Sequence, residues 1–253
     1  MPPHPQLIYQ APLTVSTYEI DRFKNMTVPA LINQMHEAAM QNVLLLKLSL
    51  WDLEPYKLSW VLMRLRLNVR RIPKLGEEIS IRTHPAGFQK FFTYRDYRVF
   101  DADHQPIAEA SSTWLLMDTE KRKMTRIPDF ILQFDMPAPA DCLPRISDKL
   151  PNMDQAEQGI DFRVNWHDLD FNQHLSNVNY FQWMLDALPE EWLLSHQLTT
   201  FDIQFRLEAS LGDALRCEWK NGGEEQILHR LIRLSDGKEL ANARTVWKAN
   251  SKQ

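Results

Sequence analysis

The chain has 253 residues, 44% hydrophobic and 25% charged, and its 29 Lys and Arg against 33 Asp and Glu give a net charge of −4. That length fits one large or two modest domains, the apolar fraction excludes a disordered or fibrous chain, and the charge balance gives no default case for nucleic-acid binding. Seven glycines, with neither GxGxxG nor GxxxxGK(S/T), argue against a nucleotide-cradling loop. Met1-Pro-Pro-His-Pro5 lacks the basic patch and apolar stretch of a leader, and no window approaches the roughly 20 apolar residues of a membrane span. Cys142 and Cys217 fall in no paired or metal-ligand motif. These features predict a cytoplasmic protein with no membrane, nucleic-acid, metal or cofactor partner.

Thr27, with Pro29 in the first turn, starts a run whose apolar positions (Leu31, Met35, Ala38, Ala39, Val43, Leu46) recur at helical spacing. From 61 to 70 the period changes to two. Val61, Met63, Leu65, Leu67 and Val69 alternate with Arg64, Arg66, Asn68 and Arg70, which predicts a half-buried strand. Strands follow near 77–84, 90–100 and 106–118, with Asp101-Ala-Asp-His104 as a turn, and Pro137, Pro139, Pro144 and Pro151 mark a linker. A second helix, capped at Ser176 or Asn177, presents Tyr180, Phe181, Met184, Leu185 and Leu188 before Pro189 interrupts it. Ile203, Phe205 and Leu207 then alternate with Gln204, Arg206 and Glu208, and strands near 213–221, 225–235 and 239–249 complete the series.

The second series repeats the first. Leu75-Gly-Glu77 returns as Leu211-Gly-Asp213, and Ala108-Glu-Ala110 with Trp114 returns as Ala241-Asn-Ala243 with Trp247. Each half reads as a strand, one helix and about four antiparallel strands wrapped on that helix, an α+β class. The expected organisation is an N-terminal domain over 1–135, a linker over 136–157 and a C-terminal domain over 158–253.

The polar run Asp168-Leu-Asp170-Phe-Asn172-Gln-His174 precedes the second helix. In an extended loop, Asp170, Asn172 and His174 would face one side, beside a helix start whose free N–H groups suit a developing oxyanion. Glu208 in the second copy stands where the first has Ile72, while Arg206 matches Arg70. The first helix is preceded by Asn25-Met-Thr-Val-Pro29, with no Asp-x-Asn-x-His. The copies share a frame and differ in ionisable groups, so the second half is expected to hold the one working site.

The stretch from Asp168 to Pro189 resembles the signature of the acyl-acyl carrier protein thioesterases of plants and bacteria, and Leu58-Ser-Trp-Val-Leu-Met-Arg-Leu65 and Thr113-Trp-Leu-Leu-Met-Asp118 resemble that family's N-terminal half. The likeness runs over roughly residues 14 to 249. It implies two tandem hotdog domains, acyl-chain specificity in the first, and catalysis in the second by Asp170, Asn172, His174 and Glu208. Many plant members carry Cys directly after that Glu, whereas this chain has Ala209, which favours water attack over a Cys–His nucleophile. The start also lacks the Ser- and Arg-rich transit segment of plastid forms, pointing to a bacterial cytosolic enzyme.

The resemblance implies hydrolysis of fatty acyl-acyl carrier protein, releasing free fatty acid and ending fatty acid synthesis. Glu208 or Asp170 would accept the water proton with His174 assisting, and Asn172 would orient water or carbonyl. Rival expectations are a coenzyme A thioesterase of the same fold, a dehydratase using Asp186 as its acid, and a non-catalytic acyl-binding hotdog protein. The segment 58–98 has nine basic and three acidic residues, a local +6 that Lys121, Arg122, Lys123 and Arg126 extend. An acidic carrier protein bearing acyl-phosphopantetheine would be steered by such a face, with Arg64 and Arg66 as docking candidates. The oligomeric state, a homodimer included, is left open.

Overall fold

The computed structural model describes residues 7–134, 136–223 and 225–250; the leader-free start read at Met1 to Pro5 lies outside them. The chain divides into two compact units, Met1–Ile146 and Ser147–Gln253. The first runs β1 (Tyr9–Thr14), α1 (Val28–Leu45), the one-turn α2 (Leu50–Leu53), β2 (Leu58–Val69), β3 (Glu78–Gln89), β4 (Phe92–Asp101), β5 (Pro106–Asp118), β6 (Lys123–Thr125) and the one-turn α3 (Asp129–Leu132). Its strands pair antiparallel in the order β1-β3-β4-β5-β2, with β6 on β5. The second unit runs β7 (Gln158–Arg163), α4 (Asn177–Asp186), α5 (Glu190–Ser195), β8 (His196–Phe205), β9 (Ala214–Gly223), β10 (Gln226–Arg233) and β11 (Glu239–Ala249). Its order, β7-β9-β10-β11-β8, is the first order repeated strand for strand.

α1 forms as its sequence demands. Thr27 Oγ1 accepts the Ala30 N–H at 3.2 Å, and Pro29 sits in the first turn, where a missing N–H costs nothing. Leu31, Ile32, Met35, Ala38 and Ala39 are buried along one stripe, the large ones each worth about 1.5–3 kcal/mol of transfer free energy. α4 buries Val178, Tyr180, Phe181, Trp183 and Met184 and ends ahead of Pro189, which caps α5.

The alternation expected over 61–70 is broken by a bulge between Leu62 and Arg64. One extra residue exchanges the faces there, so the buried set is Leu62, Leu65, Leu67 and Val69, with Val61 and Met63 half-buried. β8 likewise stops at Phe205, leaving Leu207 43% exposed instead of on an apolar strand face.

The repeated motifs are architectural. Gly76 and Gly212 have φ of 79° and 85°, in the left-handed region that favours glycine, and the acid that follows closes the turn. Glu77 Oε2 accepts the Lys74 N–H at 3.0 Å, and Asp213 Oδ2 accepts the Ser210 N–H at 2.9 Å. The two tryptophans each donate to a hydroxyl two residues back, Trp114 Nε1 to Ser112 Oγ and Trp247 Nε1 to Thr245 Oγ1, both at 2.8 Å. The proline-marked stretch divides between the units, and residues 141–145 are fastened to the first sheet. Leu143 N–H donates to the buried Asp96 Oδ2 at 2.7 Å, Arg98 Nη1 donates to Asp141 O at 3.0 Å, and the Arg145 guanidinium lies 4.3 Å over the Tyr94 ring. Among the described residues no helix is long and apolar enough to cross a membrane.

Two imidazoles, one in each unit, are driven furthest from the ordinary value, and burial lowers His84 in β3 as well. Burial pushes His36 in α1 down to about 4 and His229 in β10 down to about 3, with His229 Nε2 at 2.9 Å from Thr245 Oγ1. Both are neutral in the fold, whereas an unfolded chain binds their protons near pH 6.5. The stability they confer is present above that pH and is lost as pH falls, at about 1.4 kcal/mol per unit for each. Urea midpoints measured from pH 7 to 5 should therefore drop, and His229→Gln should flatten the slope by about one proton. A parent-like slope in that variant would place the loss elsewhere.

Candidate active site

The expected extended loop is a closed turn. Asp170 Oδ1 accepts the backbone N–H of Asn172 at 2.8 Å and of His174 at 3.2 Å. Asp170 N–H donates to His174 O at 2.8 Å, and Gln173, at φ 63°, donates its N–H to Asp170 O at 3.0 Å. The Asp170 carboxylate is thus folded back onto its own loop instead of lining up with its neighbours. Asn172 is exposed at the tip, and His174 is half-buried.

The loop is stitched to the segment after β8. Leu175 N–H donates to Ala209 O at 2.8 Å, and His174 forms an isolated β-bridge with Ser210. That stitching carries Glu208 to His174, with Oε2 3.4 Å from Nε2 and both side chains about one-third exposed. A carboxylate and an imidazole at this distance, open to solvent beside a helix start, can hold a water and move its proton. Ser176, the N-cap of α4, makes no side-chain cap hydrogen bond, unlike Thr27 on α1. Asn179 N–H donates to Ser176 O at 3.0 Å, which leaves the first two N–H groups of α4, those of Asn177 and Val178, as the candidate donors for an anion.

The first unit has the same loop without the chemistry. Asp21 Oδ1 accepts the N–H of Phe23 at 2.8 Å and of Asn25 at 2.9 Å; Asp21 N–H donates to Asn25 O at 2.8 Å; and Lys24 is at φ 64°. Met26 N–H donates to Pro73 O at 2.8 Å, matching Leu175 on Ala209. Asp21 is therefore the counterpart of Asp170, Phe23 of Asn172, Asn25 of His174 and Ile72 of Glu208. With the helix caps Thr27 and Ser176 aligned, Asp21 falls on Asp170, four residues ahead of Asn25. Tyr180, assigned from sequence only to an apolar face, lies under the site and donates from its hydroxyl to Leu207 O at 3.3 Å.

Neither cysteine is placed as a nucleophile. Cys217 is fully buried in β9, and burial pushes its thiol well above the ordinary range; desolvation also raises Cys142, in the strapped segment of the first unit. Ala209, beside Glu208, is fully buried. Asp186 ends α4, about 15 Å of helix away from the end that follows His174, so it cannot supply a dehydratase acid to that imidazole. Among the described residues no three His, Cys, Asp or Glu side chains converge as metal ligands.

Two family models cover most of the chain: the acyl-ACP thioesterase N-terminal domain over residues 6–134 and the acyl-ACP thioesterase C-terminal domain over 152–249. The chain belongs to the acyl-ACP thioesterase family. It is 30% identical over 261 aligned positions to a chloroplastic palmitoyl-acyl carrier protein thioesterase of Cuphea hookeriana, covering 96% of this chain and 62% of that relative. It is 24% identical to a chloroplastic dodecanoyl-acyl-carrier-protein hydrolase of Umbellularia californica, covering 96% of this chain and 68% of the relative. The chain spans less than two thirds of the Cuphea protein's length. Among solved structures, the 12:0-ACP thioesterase of Umbellularia californica superposes with a TM-score of 0.85 at 22% identity, over 96% of this chain and 98% of the other. An acyl-ACP thioesterase of Bacteroides thetaiotaomicron gives 0.84 at 20% identity, over 95% and 98%. Those likenesses fix the fold as α+β, with a hotdog helix and sheet in each half of the family chain.

Proposed function

We propose that this member of the acyl-ACP thioesterase family hydrolyses the thioester of a fatty acyl group carried on acyl carrier protein. The observation that carries the proposal is the Glu208–His174 pair at 3.4 Å, built on a loop whose twin in the other unit holds Asn25 and Ile72 instead. A thioester carbonyl is already electrophilic, so the site must position a water, take its proton and hold the oxyanion. The Glu208–His174 pair removes one proton from water as its oxygen bonds to the acyl carbon. The N–H groups at the start of α4 receive the tetrahedral oxyanion. Collapse breaks the C–S bond, and the proton held by the pair passes to the departing thiolate, so water and thioester become acid and thiol. Asn172, exposed at the loop tip, orients the water or the carbonyl through its amide.

Asp170 takes a different role from the one first expected. Because Asp21 makes the same two amide contacts where no chemistry is built, Asp170 shapes the loop, and the proton transfer belongs to the Glu208–His174 pair. Asp170→Asn keeps an acceptor oxygen and should retain turnover within about 10-fold, whereas Asp170→Ala opens the turn and should lose about 100-fold. A loss in Asp170→Asn as large as in Asp170→Ala would return the carboxylate's charge to the chemistry.

The carrier is tested directly. Purified protein should release free fatty acid faster from acyl carrier protein than from coenzyme A bearing the same acyl group, with the difference shrinking as salt rises. Equal rates on both carriers at low salt would favour the coenzyme A enzyme, and release from neither would leave an acyl-binding protein. Arg64 and Arg66 are half-buried on β2, while Lys121, Arg122, Lys123 and Arg126 are exposed around β6. Charge reversal at either set should slow only the carrier-protein reaction if that set guides docking.

A further inference from the structure

The twin loops also show what the working copy has added beyond its ionisable pair. Aligned on their caps, Thr27 and Ser176, α1 and α4 place Ala30 opposite Asn179 and Leu31 opposite Tyr180. Ala30 and Leu31 have no polar side-chain atom. Asn179 Nδ2 donates to Asp168 O at 2.9 Å, gripping the loop that carries His174. Tyr180, 2% exposed, donates from its hydroxyl to Leu207 O at 3.3 Å, gripping the residue before Glu208. Its ring is wedged edge-on against Phe205, the last residue of β8, with centroids 5.2 Å apart, so the hydroxyl is aimed by packing.

The backbone that these two side chains hold is the same in both units up to that point. Ser176 N–H donates to Asp168 O at 2.8 Å, as Thr27 N–H does to Glu19 O, and Arg206 and Leu207 donate to Leu240 O as Arg70 and Arg71 do to Ile107 O. The fold therefore closes the loop and the strand end without Asn179 or Tyr180. What they add is a cross-tie. Neighbouring residues of one helix turn fix the two segments whose side chains must meet at 3.4 Å. Burial and the nearby Glu208 carboxylate both push the Tyr180 hydroxyl upward, so it stays protonated and remains a donor.

We infer that Asn179 and Tyr180 are positioning residues of the active site, setting the approach of His174 to Glu208 from the first turn of α4. This rests on the assignment of hydrolysis to the Glu208–His174 pair, and the test separates the two. Steady-state kinetics on one acyl-acyl carrier protein substrate would compare Tyr180→Phe, Asn179→Ala, Glu208→Gln and His174→Ala, plus Tyr180→Phe combined with Glu208→Gln and Asn179→Ala combined with His174→Ala. Tyr180→Phe removes only the hydroxyl, and Asn179→Ala restores what the first unit carries, so both should fold with parent-like circular dichroism. Each should lower kcat about 10-fold with KM within about 2-fold, because misplacement of the pair affects the chemical step and not acyl binding. Each should add nothing further in its combined variant, since its effect passes through the partner already removed.

If Glu208→Gln and His174→Ala cripple turnover while Tyr180→Phe and Asn179→Ala stay within about 2-fold of the parent in kcat, the positioning role is wrong and the site assignment stands. A fall that persists in full in the combined variants, or one in which KM moves with kcat, would show a general structural effect and equally overturn the inference. If Glu208→Gln and His174→Ala retain parent turnover, the assignment beneath it fails, whatever the other two do.

Discussion

Replacing either member of the Glu208–His174 pair should lower turnover by about 10³-fold, within the range usual for positioned acid–base catalysis. The structure gives two reasons to place the largest loss there. The pair is held by backbone, through Leu175 on Ala209 and the bridge of His174 to Ser210, so removing one side chain leaves the other in place but idle. The first unit has the same stitching and carries neither group, which separates what the loop needs from what the chemistry needs. His174→Ala and Glu208→Gln should accordingly leave the thermal midpoint within a few degrees, because both positions are partly exposed and their twins are Asn25 and Ile72. Their effects should not multiply. With one member gone the pair cannot pass the proton, and the double variant should be about as slow as either single one. Multiplying losses would mean two independent catalysts, and loss of folded protein would mean that the pair is structural.

How far the sequence could lead depended on what kind of signal each feature leaves. Helix caps, alternation and turn residues are local, so α1, α4 and the strands over 106–118 and 239–249 could be read directly. The bulge at Met63 could not, because it is set by pairing with Trp114 and Thr113 on β5, about 50 residues away. Glu208 and His174 could be nominated by the unequal copies, but their contact depends on a bridge between segments 36 residues apart. Asp170 is hard to assign for the opposite reason. Its loop-building role is local, yet a carboxylate beside Asn and His looks chemical, and only its twin Asp21, whose loop carries Phe23 and Asn25, shows the turn it makes. Tyr180 was hidden by its apolar ring, since nothing in a sequence says that a buried hydroxyl will reach the carbonyl of Leu207.

The largest change in stability is expected in the core of the first unit, at Asn42. Arg95, on β4 and only 7% exposed, donates from Nη1 to Asn42 Oδ1 at 2.8 Å and to Thr83 Oγ1 at 3.2 Å. Thr83 Oγ1 in turn donates to Asp96 O at 2.9 Å, and Ser112 Oγ donates to Arg95 O at 3.0 Å. Burial pulls the guanidinium below its ordinary value, and the neighbouring Tyr97 and the buried Asp96 offset only part of that. The atoms it donates to are neutral, so a cation is held in the core at a net cost. The second unit shows that the fold does not require it. Arg95 pairs with Ser112 as Ile227 pairs with Thr245, and Ile227 is 2% exposed. Asn42→Leu keeps the volume but strands the cation, and should cost about 3–5 kcal/mol. Arg95→Met removes the charge along with its need for a partner, and should be neutral or stabilising by about 1–4 kcal/mol. In the double variant Arg95→Met should rescue most of the loss from Asn42→Leu, a coupling read from urea midpoints at constant m. If Arg95→Met alone costs as much as Asn42→Leu, the guanidinium is a net stabiliser of this core, and the account of it as a charge that must be kept satisfied is wrong.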